Sequence, residues 1–451
     1  MCGFSGVFNS DGLTAIDRSW LSETNQCLKH RGPDDSGLWI SSDYRLGFAH
    51  RRLSIIDLSK KASQPMHYAN SNLHLVFNGE IYNYKEIREQ LLSQGFLFNS
   101  NSDSEVLLKS YAKWGKGCTS KFVGQFAFVI FDSKEKTLFL ARDAAGEKPL
   151  YYSIIKNGHI IFSSEQKSLL IHSDLHPKLN HMSLVKFLSS GTVGVSESII
   201  EGIERINPGS QISINLITFE ISKSFFWKIP APKKSSLPES LDSLVSKLES
   251  LLRIAIRRQF EADVPVGVLL SGGLDSSIIA SLASQEFGHV NTFTASFPED
   301  PNLDESIRSK LIAKAIGSNH HELEITKPSL DVIKFLGKNF DEPIFDISIV
   351  PTFLLSKEIK RSCSVALGGD GADEIFGGYI HHSRALRNRQ QIHLYPSFVS
   401  EVLLSLAKKM IPFGVAGHYR LIQYFNDSSK TNIQDWRMFP LDEITKLLSL
   451  K

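Results

Sequence analysis

Hydrophobic and polar residues alternate in two different textures along the chain, and the change falls near its middle. Up to about Pro208, short apolar runs are cut every few residues by Gly, Asn, Asp or Ser. Leu73-His74-Leu75-Val76-Phe77 stops at Asn78-Gly79, and the run from Phe126 to Phe131 stops at Asp132. Thr137 to Ala141 and His159 to Phe162 continue the series. Short runs of this kind, separated by turn formers, predict strands with few long helices between them. Strands at that density need covering, so the first half is expected to be sheet packed on sheet with helices outside.

Ile229 to Pro238 interrupts this texture with three prolines, Pro230, Pro232 and Pro238. Each fixes φ and withholds an N–H, which predicts a linker. Beyond it Leu241, Leu244, Val245, Leu248, Leu251, Leu252, Ala255 and Ile256 recur at helical spacing, with Arg253, Arg257 and Arg258 largely off that stripe. A buried-strand run from Val264 to Leu270, a glycine turn and an apolar helix from Ser276 come next. A strand from Thr292 to Phe297, a helix from Asp304 to Ile316 and a strand from Ser364 to Leu367 extend the alternation. Such alternation predicts an α/β parallel sheet with ligands at the carboxyl ends of its strands. Pro396 to Met410 has amphipathic helical spacing. The expected division is a first domain over 2–210, a linker over 211–239 and a second domain over 240–451.

Composition narrows the function classes. With Lys plus Arg at 50 against Asp plus Glu at 48 and no long basic run, neither nucleic acid nor an anionic membrane has electrostatic support as a partner. The longest apolar run is far too short to span a bilayer, and the N-terminus lacks a signal-peptide layout, so a cytoplasmic location is expected. The four cysteines, Cys2, Cys27, Cys118 and Cys363, are scattered without a CxxC pair, which suggests neither disulfides nor structural zinc.

Cys2 is the sharpest single feature. Removal of Met1 would put a thiol (pKa roughly 8.5) and an α-amine (about 7.7–8.0) on one residue, so nucleophile and base arrive together. It is followed by His30-Arg31-Gly32-Pro33-Asp34, then His50-Arg51-Arg52-Leu53-Ser54-Ile55-Ile56-Asp57, then Asn78-Gly79-Glu80-Ile81-Tyr82-Asn83. Ser102-Asp103-Ser104-Glu105-Val106, Ala141-Arg142-Asp143 and Gly146-Glu147-Lys148-Pro149-Leu150-Tyr151-Tyr152 close the series. In this order and spacing the set resembles the class II glutamine amidotransferases, which are N-terminal-nucleophile hydrolases.

That resemblance implies an α+β sandwich of two sheets flanked by helices, with Cys2 as nucleophile and glutamine as substrate. Asn78 and Gly79 would supply oxyanion donors, Arg52 would take the glutamine α-carboxylate, and Asp103 with Glu80 its α-ammonium. Each residue also has a plainer explanation: Asn78-Gly79 as a hairpin turn, Arg52 as a surface charge, Asp103 as a helix cap. Arg31, Asp34 and Arg142-Asp143 fit buried Arg–Asp pairing as well as they fit substrate contact.

In the second half Ser271-Gly272-Gly273-Leu274-Asp275-Ser276-Ser277 follows a strand and opens a helix, where glycines and free N–H groups suit a phosphate. It is not a GxxxxGK[ST] loop; it resembles the pyrophosphate loop of N-type ATP pyrophosphatases. Leu367-Gly368-Gly369-Asp370-Gly371-Ala372-Asp373-Glu374, leading to Gly377-Gly378-Tyr379, resembles the matching motif of glutamine-hydrolysing asparagine synthetases. The resemblance implies ATP and Mg2+, with Leu270, Ser271, Gly272, Gly273, Asp275, Ser276, Gly368 and Gly369 at the nucleotide, Asp275 and Asp373 at magnesium, and Asp370 tied to adenylate formation. Gly368 departs from the family's serine, so a hydroxyl contact there is lost while a backbone contact survives. Asp304-Glu305 and Asp341-Glu342-Pro343 match family positions and read as helix-start and loop architecture.

The implied reaction is glutamine-dependent amidation of an adenylated carboxylate, aspartate to asparagine. A sugar acid of surface-polysaccharide synthesis is an alternative acceptor, and a chain with glutaminase activity only is another outcome. No residue up to Lys451 matches the family's late lysine, so a synthetase region shortened at its C-terminus is expected. The resemblance leaves room for a homodimer.

Overall fold

The computed structural model describes residues 1–11, 15–68, 70, 72–231, 240–301, 304–325 and 329–380, with isolated positions between 382 and 448. The first half holds two antiparallel six-stranded sheets. One runs in the spatial order Glu204–Arg205, Tyr151–Ile154, Ile160–Ser163, Gly3–Phe8, Leu46–Arg52, Asp35–Ile40. The other runs Ile221–Phe225, Ser210–Asn215, Thr137–Arg142, Gly124–Asp132, Leu73–Ile81, Met66–Tyr68.

Side-chain alternation within one strand explains why the sheets stack between helices. Along Gly124–Asp132, Phe126, Phe128 and Ile130 join the core under helices Tyr84–Leu92 and Asp103–Trp114, while Ala127, Val129 and Phe131 join the core between the sheets. Both faces are buried, which is why the run from Phe126 to Phe131 is apolar without a break. A third cluster packs Trp20 and Leu21 of helix Arg18–Cys27 against Val7, Ala49 and Ile161 on the far face of the first sheet. The sheet-on-sheet core flanked by helices is the expected one. Fully buried phenylalanines at 4, 48, 77, 126, 128, 139 and 162, each worth about 1.5–3 kcal/mol on burial, make it a rigid platform for the first strand and its Cys2.

The expected boundary at 210 needs correction. Ser210–Asn215 pairs with Thr137–Arg142 in the register Ile212↔Leu140 and Ile214↔Leu138, and Ile221–Phe225 adds the edge strand. Ile212 and Ile214 face inward between polar Gln211, Ser213 and Asn215, a half-buried strand that average composition hides. The sheet therefore continues past 210 to Phe225. Most of the proline-rich linker (232–239) lies outside the described residues, as do most of the expected helix from Pro396 to Met410 and most of Asp435 to Pro440.

The second half is a four-stranded parallel sheet in the order Asn319–Glu324, Asn291–Ser296, Val266–Leu269, Val365–Leu367. Helices Leu274–Phe287, Ser306–Ile316 and Ile349–Ile359 alternate with these strands, as expected. Only Ile256 of the stripe on helix Leu241–Gln259 is buried, and Leu252 packs partly beside it. The 19-residue helix outruns its 14-residue neighbour Leu274–Phe287, and Leu241, Leu244 and Leu251 remain exposed.

Among the described residues, hydrogen bonds join the halves. Asp263 N–H donates to Ile55 O (2.9 Å) and Asp263 Oδ2 accepts from Asp57 N–H (2.7 Å). On another face Asp341 Oδ2 accepts from Gln166 N–H (2.6 Å) and Glu342 Oε2 from Ile199 N–H (3.0 Å).

Candidate active sites

The strand Gly3–Phe8 delivers Cys2 to one wall of a cleft holding about 500 Å³ of empty space. Cys2 Sγ accepts from Leu53 N–H (3.4 Å) and donates to Leu53 O (3.6 Å), which fixes the sulfur against the chain leaving strand Leu46–Arg52. Arg52, Asn78, Gly79, Glu80 and Asp103 line the same cleft, so every residue expected around Cys2 is brought together.

Each is aimed by the fold. Asn78 and Gly79 stand inside strand Leu73–Ile81, opposite Ala127 and Phe126, and are no hairpin turn. Both side-chain atoms of Asn78, Oδ1 and Nδ2, are buried without a hydrogen-bond partner. A buried amide with neither donor nor acceptor met is rare and calls for a partner, a water or a ligand. Gly79 has φ +148°, and a Cβ there would lie 2.1 Å from Gln125 O, so only glycine fits. Asp103 does not cap its helix: Ser102 does, accepting from Glu105 N–H (3.2 Å). The carboxylate of Asp103 instead accepts from Ile81 N–H (3.0 Å). Arg52 is no surface charge; its terminal nitrogens donate to the carbonyls of Ser59 (3.0 Å), Ile56 (3.2 Å) and Asp57.

The electrostatics follow from dryness. Burial pushes the Cys2 thiol above its ordinary range, against the pull of the Leu53 N–H, the chain's amine and Arg52. Burial lowers the α-amine of Met1 to about 6, aided by Arg31 and Lys148. Glu80 rises to about 7 through burial and the nearby Asp103, and Asp103 rises to about 6 through burial. With Met1 removed, Cys2 would carry thiol and α-amine on one residue, the pairing a self-activating N-terminal nucleophile needs.

The ambiguous arginines and aspartates are not paired with one another. Arg31 Nε donates to Cys2 O (2.8 Å) and its Nη1 to Glu165 Oε1 (2.8 Å), while Asp34 accepts from Ser54 N–H (2.8 Å). Arg142 donates to the carbonyls of Lys148 (2.9 Å), Ile206 (2.7 Å) and Gly146. Asp143 accepts from the N–H groups of Phe126 (3.1 Å), Glu147 (2.9 Å) and Lys148 (3.0 Å). Buried charges held by backbone dipoles shape the loop that carries Lys148 into the cleft. Lys148 itself, with Nζ 3.3 Å from Met1 Sδ, was not anticipated as a site residue, although its motif was visible.

The second cleft lies at the carboxyl ends of strands Val266–Leu269 and Val365–Leu367. The two strands are neighbours, yet the chain reaches the second only after Asn291–Ser296 and Asn319–Glu324 on the other side, a reversal of strand order at which open α/β sheets bind ligands. Leu270, Ser271, Gly273, Asp275, Ser276, Gly368, Gly369, Asp370 and Asp373 line it. Gly272 is not on the wall; it makes the turn, with φ +80°. Ser271 and Ser276 hydroxyls meet at 3.0 Å and tie the loop to the first turn of helix Leu274–Phe287.

A Cβ at Gly369 would sit 3.1 Å from Asp275 Cβ, so the two glycine loops are in contact. A Cβ at Gly368 would lie 2.7 Å from Asp370 Oδ2, so glycine there lets that carboxylate close over the loop. Asp275, Asp370 and Asp373 line this cleft, but among the described residues no three acidic, histidine or cysteine side chains stand close enough together to hold a metal ion by themselves. Glu305, Asp346 and Ser348 were not anticipated here. Asp304, as expected, starts its helix by accepting from Ser306 N–H (2.9 Å). Asp341 and Glu342 are not mere loop architecture; they join the halves.

The comparisons with known proteins agree with this division. Residues 1–227 match the glutamine amidotransferase domain family and residues 247–442 the asparagine synthase family. The chain is similar to asparagine synthetase (glutamine-hydrolyzing) 1 of Bacillus subtilis (strain 168), 36% identical over 92% of this chain and 65% of that protein. It is also similar to a protein of Methanocaldococcus jannaschii named putative asparagine synthetase (glutamine-hydrolyzing) 2, 32% identical over 94% of this chain and 84% of that one. A third relative, asparagine synthetase (glutamine-hydrolyzing) 3 of Bacillus subtilis, is 32% identical over 84% of this chain and 63% of that protein. The chain thus spans just under two thirds of the length of the two Bacillus relatives.

Proposed function

We propose that this chain, which belongs to the glutamine-hydrolysing asparagine synthetase family, releases ammonia from glutamine at Cys2 and uses it to amidate an ATP-activated carboxylate, aspartate. The observation that carries the reading is the orphaned amide of Asn78 in the cleft that Cys2 also lines.

At the first site, loss of Met1 leaves the Cys2 amine in a dry pocket, where it takes the thiol proton. Cys2 Sγ attacks the glutamine side-chain carbonyl, and Asn78 Nδ2 with the Gly79 N–H receive the oxyanion. Ammonia leaves, and water clears the thioester. Arg52 holds the substrate carboxylate; Asp103 and Glu80 hold its ammonium. Asn78→Ala is expected to lower the kcat for glutamine hydrolysis by roughly 10²–10³-fold. It should not lower the thermal midpoint, because it removes a buried polar group that has no partner. Glutamate release and a melting curve check both halves.

The pH dependence has a definite sign. Glu80 and Asp103 attract the substrate ammonium only when ionised, so KM for glutamine should be low above pH 7 and rise as pH falls through about 7 and then about 6. Glu80→Gln should flatten the upper part of that rise. A KM independent of pH between 5.5 and 8 would remove these two carboxylates from substrate binding.

At the second site the Ser271–Ser276 loop and Gly368–Gly369 are suited to the nucleotide, and Asp275 with Asp373 would hold Mg2+, which would neutralise phosphate charge. Asp370 lies where adenylate formation on the acceptor would be assisted. Aspartate as acceptor is supported by the names of the relatives. Incubating the purified chain with glutamine, ATP–Mg and aspartate, and reading asparagine, AMP and pyrophosphate by mass spectrometry, tests the whole scheme. Glutamate without AMP from any carboxylate would leave only the first site standing.

A further inference from the structure

A polar network centred on Glu165 links the backbone of Cys2 to Asp341, at the start of the segment that reaches the second cleft. Arg31 Nε donates to Cys2 O (2.8 Å), and the same guanidinium donates through Nη1 to Glu165 Oε1 (2.8 Å), which His30 Nε2 also approaches (3.0 Å). Glu165 Oε2 lies 3.0 Å from Lys167 Nζ, an ion pair without hydrogen-bond geometry, since that oxygen has no hydrogen-bond partner. Lys167 Nζ reaches Asn339 O (2.5 Å) and Asp341 Oδ1 (3.5 Å), and Asp341 Oδ2 accepts from Gln166 N–H (2.6 Å). Asp341 begins the 341–348 segment, whose Asp346 and Ser348 line the second cleft and whose Phe345 N–H donates to Gly191 O (3.1 Å).

Glu165 and Asp341 are nearly excluded from water, with side-chain exposures of 11% and 9%. A buried carboxylate turns toward whatever cations it has, so its orientation is set by His30, Arg31 and Lys167 together. Burial raises Glu165, but His30 and Arg31 outweigh it and hold the group at about 2, so it stays charged at any working pH. Arg31 is planar and bridges Glu165 to the Cys2 carbonyl, so a turn of the carboxylate is passed on to the residue that carries the nucleophile.

We infer that Glu165 is a positioning residue for Cys2, and that Lys167 and Asp341 make its hold depend on the segment walling the second cleft, so that filling that cleft alters turnover of glutamine. Neither Arg31 nor Glu165 lines the first cleft, so the effect falls on kcat and not on KM. This rests on the glutaminase reading of Cys2.

The test uses the purified full chain and steady-state glutamate release, with and without ATP–Mg. Glu165→Gln is expected to lower kcat by roughly tenfold at unchanged KM, the scale of a sub-ångström misplacement. Lys167→Met should lower kcat by several-fold, and Lys167→Arg should restore it, which a loss of folding would not allow. ATP–Mg should change wild-type kcat by about twofold or more, and that response should vanish in Lys167→Met and Asp341→Asn. A Lys167→Met enzyme with wild-type kcat, a response to ATP–Mg that survives in it, or a wild type indifferent to ATP–Mg overturns the inference. If Cys2→Ala still hydrolyses glutamine, the reading of the first site has failed; if it is dead and Lys167→Met equals wild type, only the coupling has failed.

Discussion

Cys2→Ala is expected to abolish glutamine-dependent amide formation, lowering glutamate release by at least ~10⁴-fold, while ammonia-dependent formation stays at the wild-type rate. The loss is large because, among the described residues, no second thiol lines the first cleft: Cys27, Cys118 and Cys363 lie elsewhere. The selectivity follows from distance in the fold. Cys2 ends on the antiparallel sandwich, whereas the nucleotide loops stand on a separate parallel sheet, and ammonia supplied from solution needs nothing from the sandwich. Parallel assays with glutamine and with ammonium chloride decide the matter; equal loss of both activities would sink the two-site scheme.

Asp370→Asn is the mirror experiment. It should lower pyrophosphate release from ATP–Mg and aspartate by roughly 10²–10³-fold and leave glutamine hydrolysis within twofold of wild type. Asparagine keeps the shape of the side chain that closes over Gly368, where a Cβ would come within 2.7 Å of Asp370 Oδ2, so packing is retained and only charge is lost. An unchanged thermal midpoint confirms that separation. Wild-type pyrophosphate release in this variant would remove Asp370 from the chemistry.

Much of this was legible in the residues, for identifiable reasons. Strand and helix periodicities differ, so the change at the proline-rich stretch separated a β-rich half from an α/β half before any coordinates. It was less able to end the first sheet. Ile212 and Ile214 alternate with polar residues, and composition alone passed over them. Motifs named the residues of both clefts but left their alternatives open. Asn78-Gly79 suits a turn as well as an oxyanion hole, and only its pairing with Ala127 and Phe126 excludes the turn. Asp103 suits a helix cap, and only the capping bond from Ser102 frees it for the cleft.

Other features left no local trace. Glu165 and Lys167 look like ordinary surface charges in sequence, because their meaning lies in partners more than a hundred residues away. The same holds for Lys148, whose motif was visible but whose side chain enters the first cleft only because Arg142 and Asp143 brace the loop behind it.

By itself, then, the sequence named the candidate residues of two chemistries: a cysteine at position 2, Asn78-Gly79 as expected oxyanion donors, and glycine loops opening after buried strands. These depend on residue type and short-range spacing, which a linear chain carries in full. The tertiary structure alone decided which charges are dry, which amide is left without a partner, and which residues of the two halves meet. Burial and long-range pairing are properties of packing, and packing exists only once the two sheets and their helices have closed on one another.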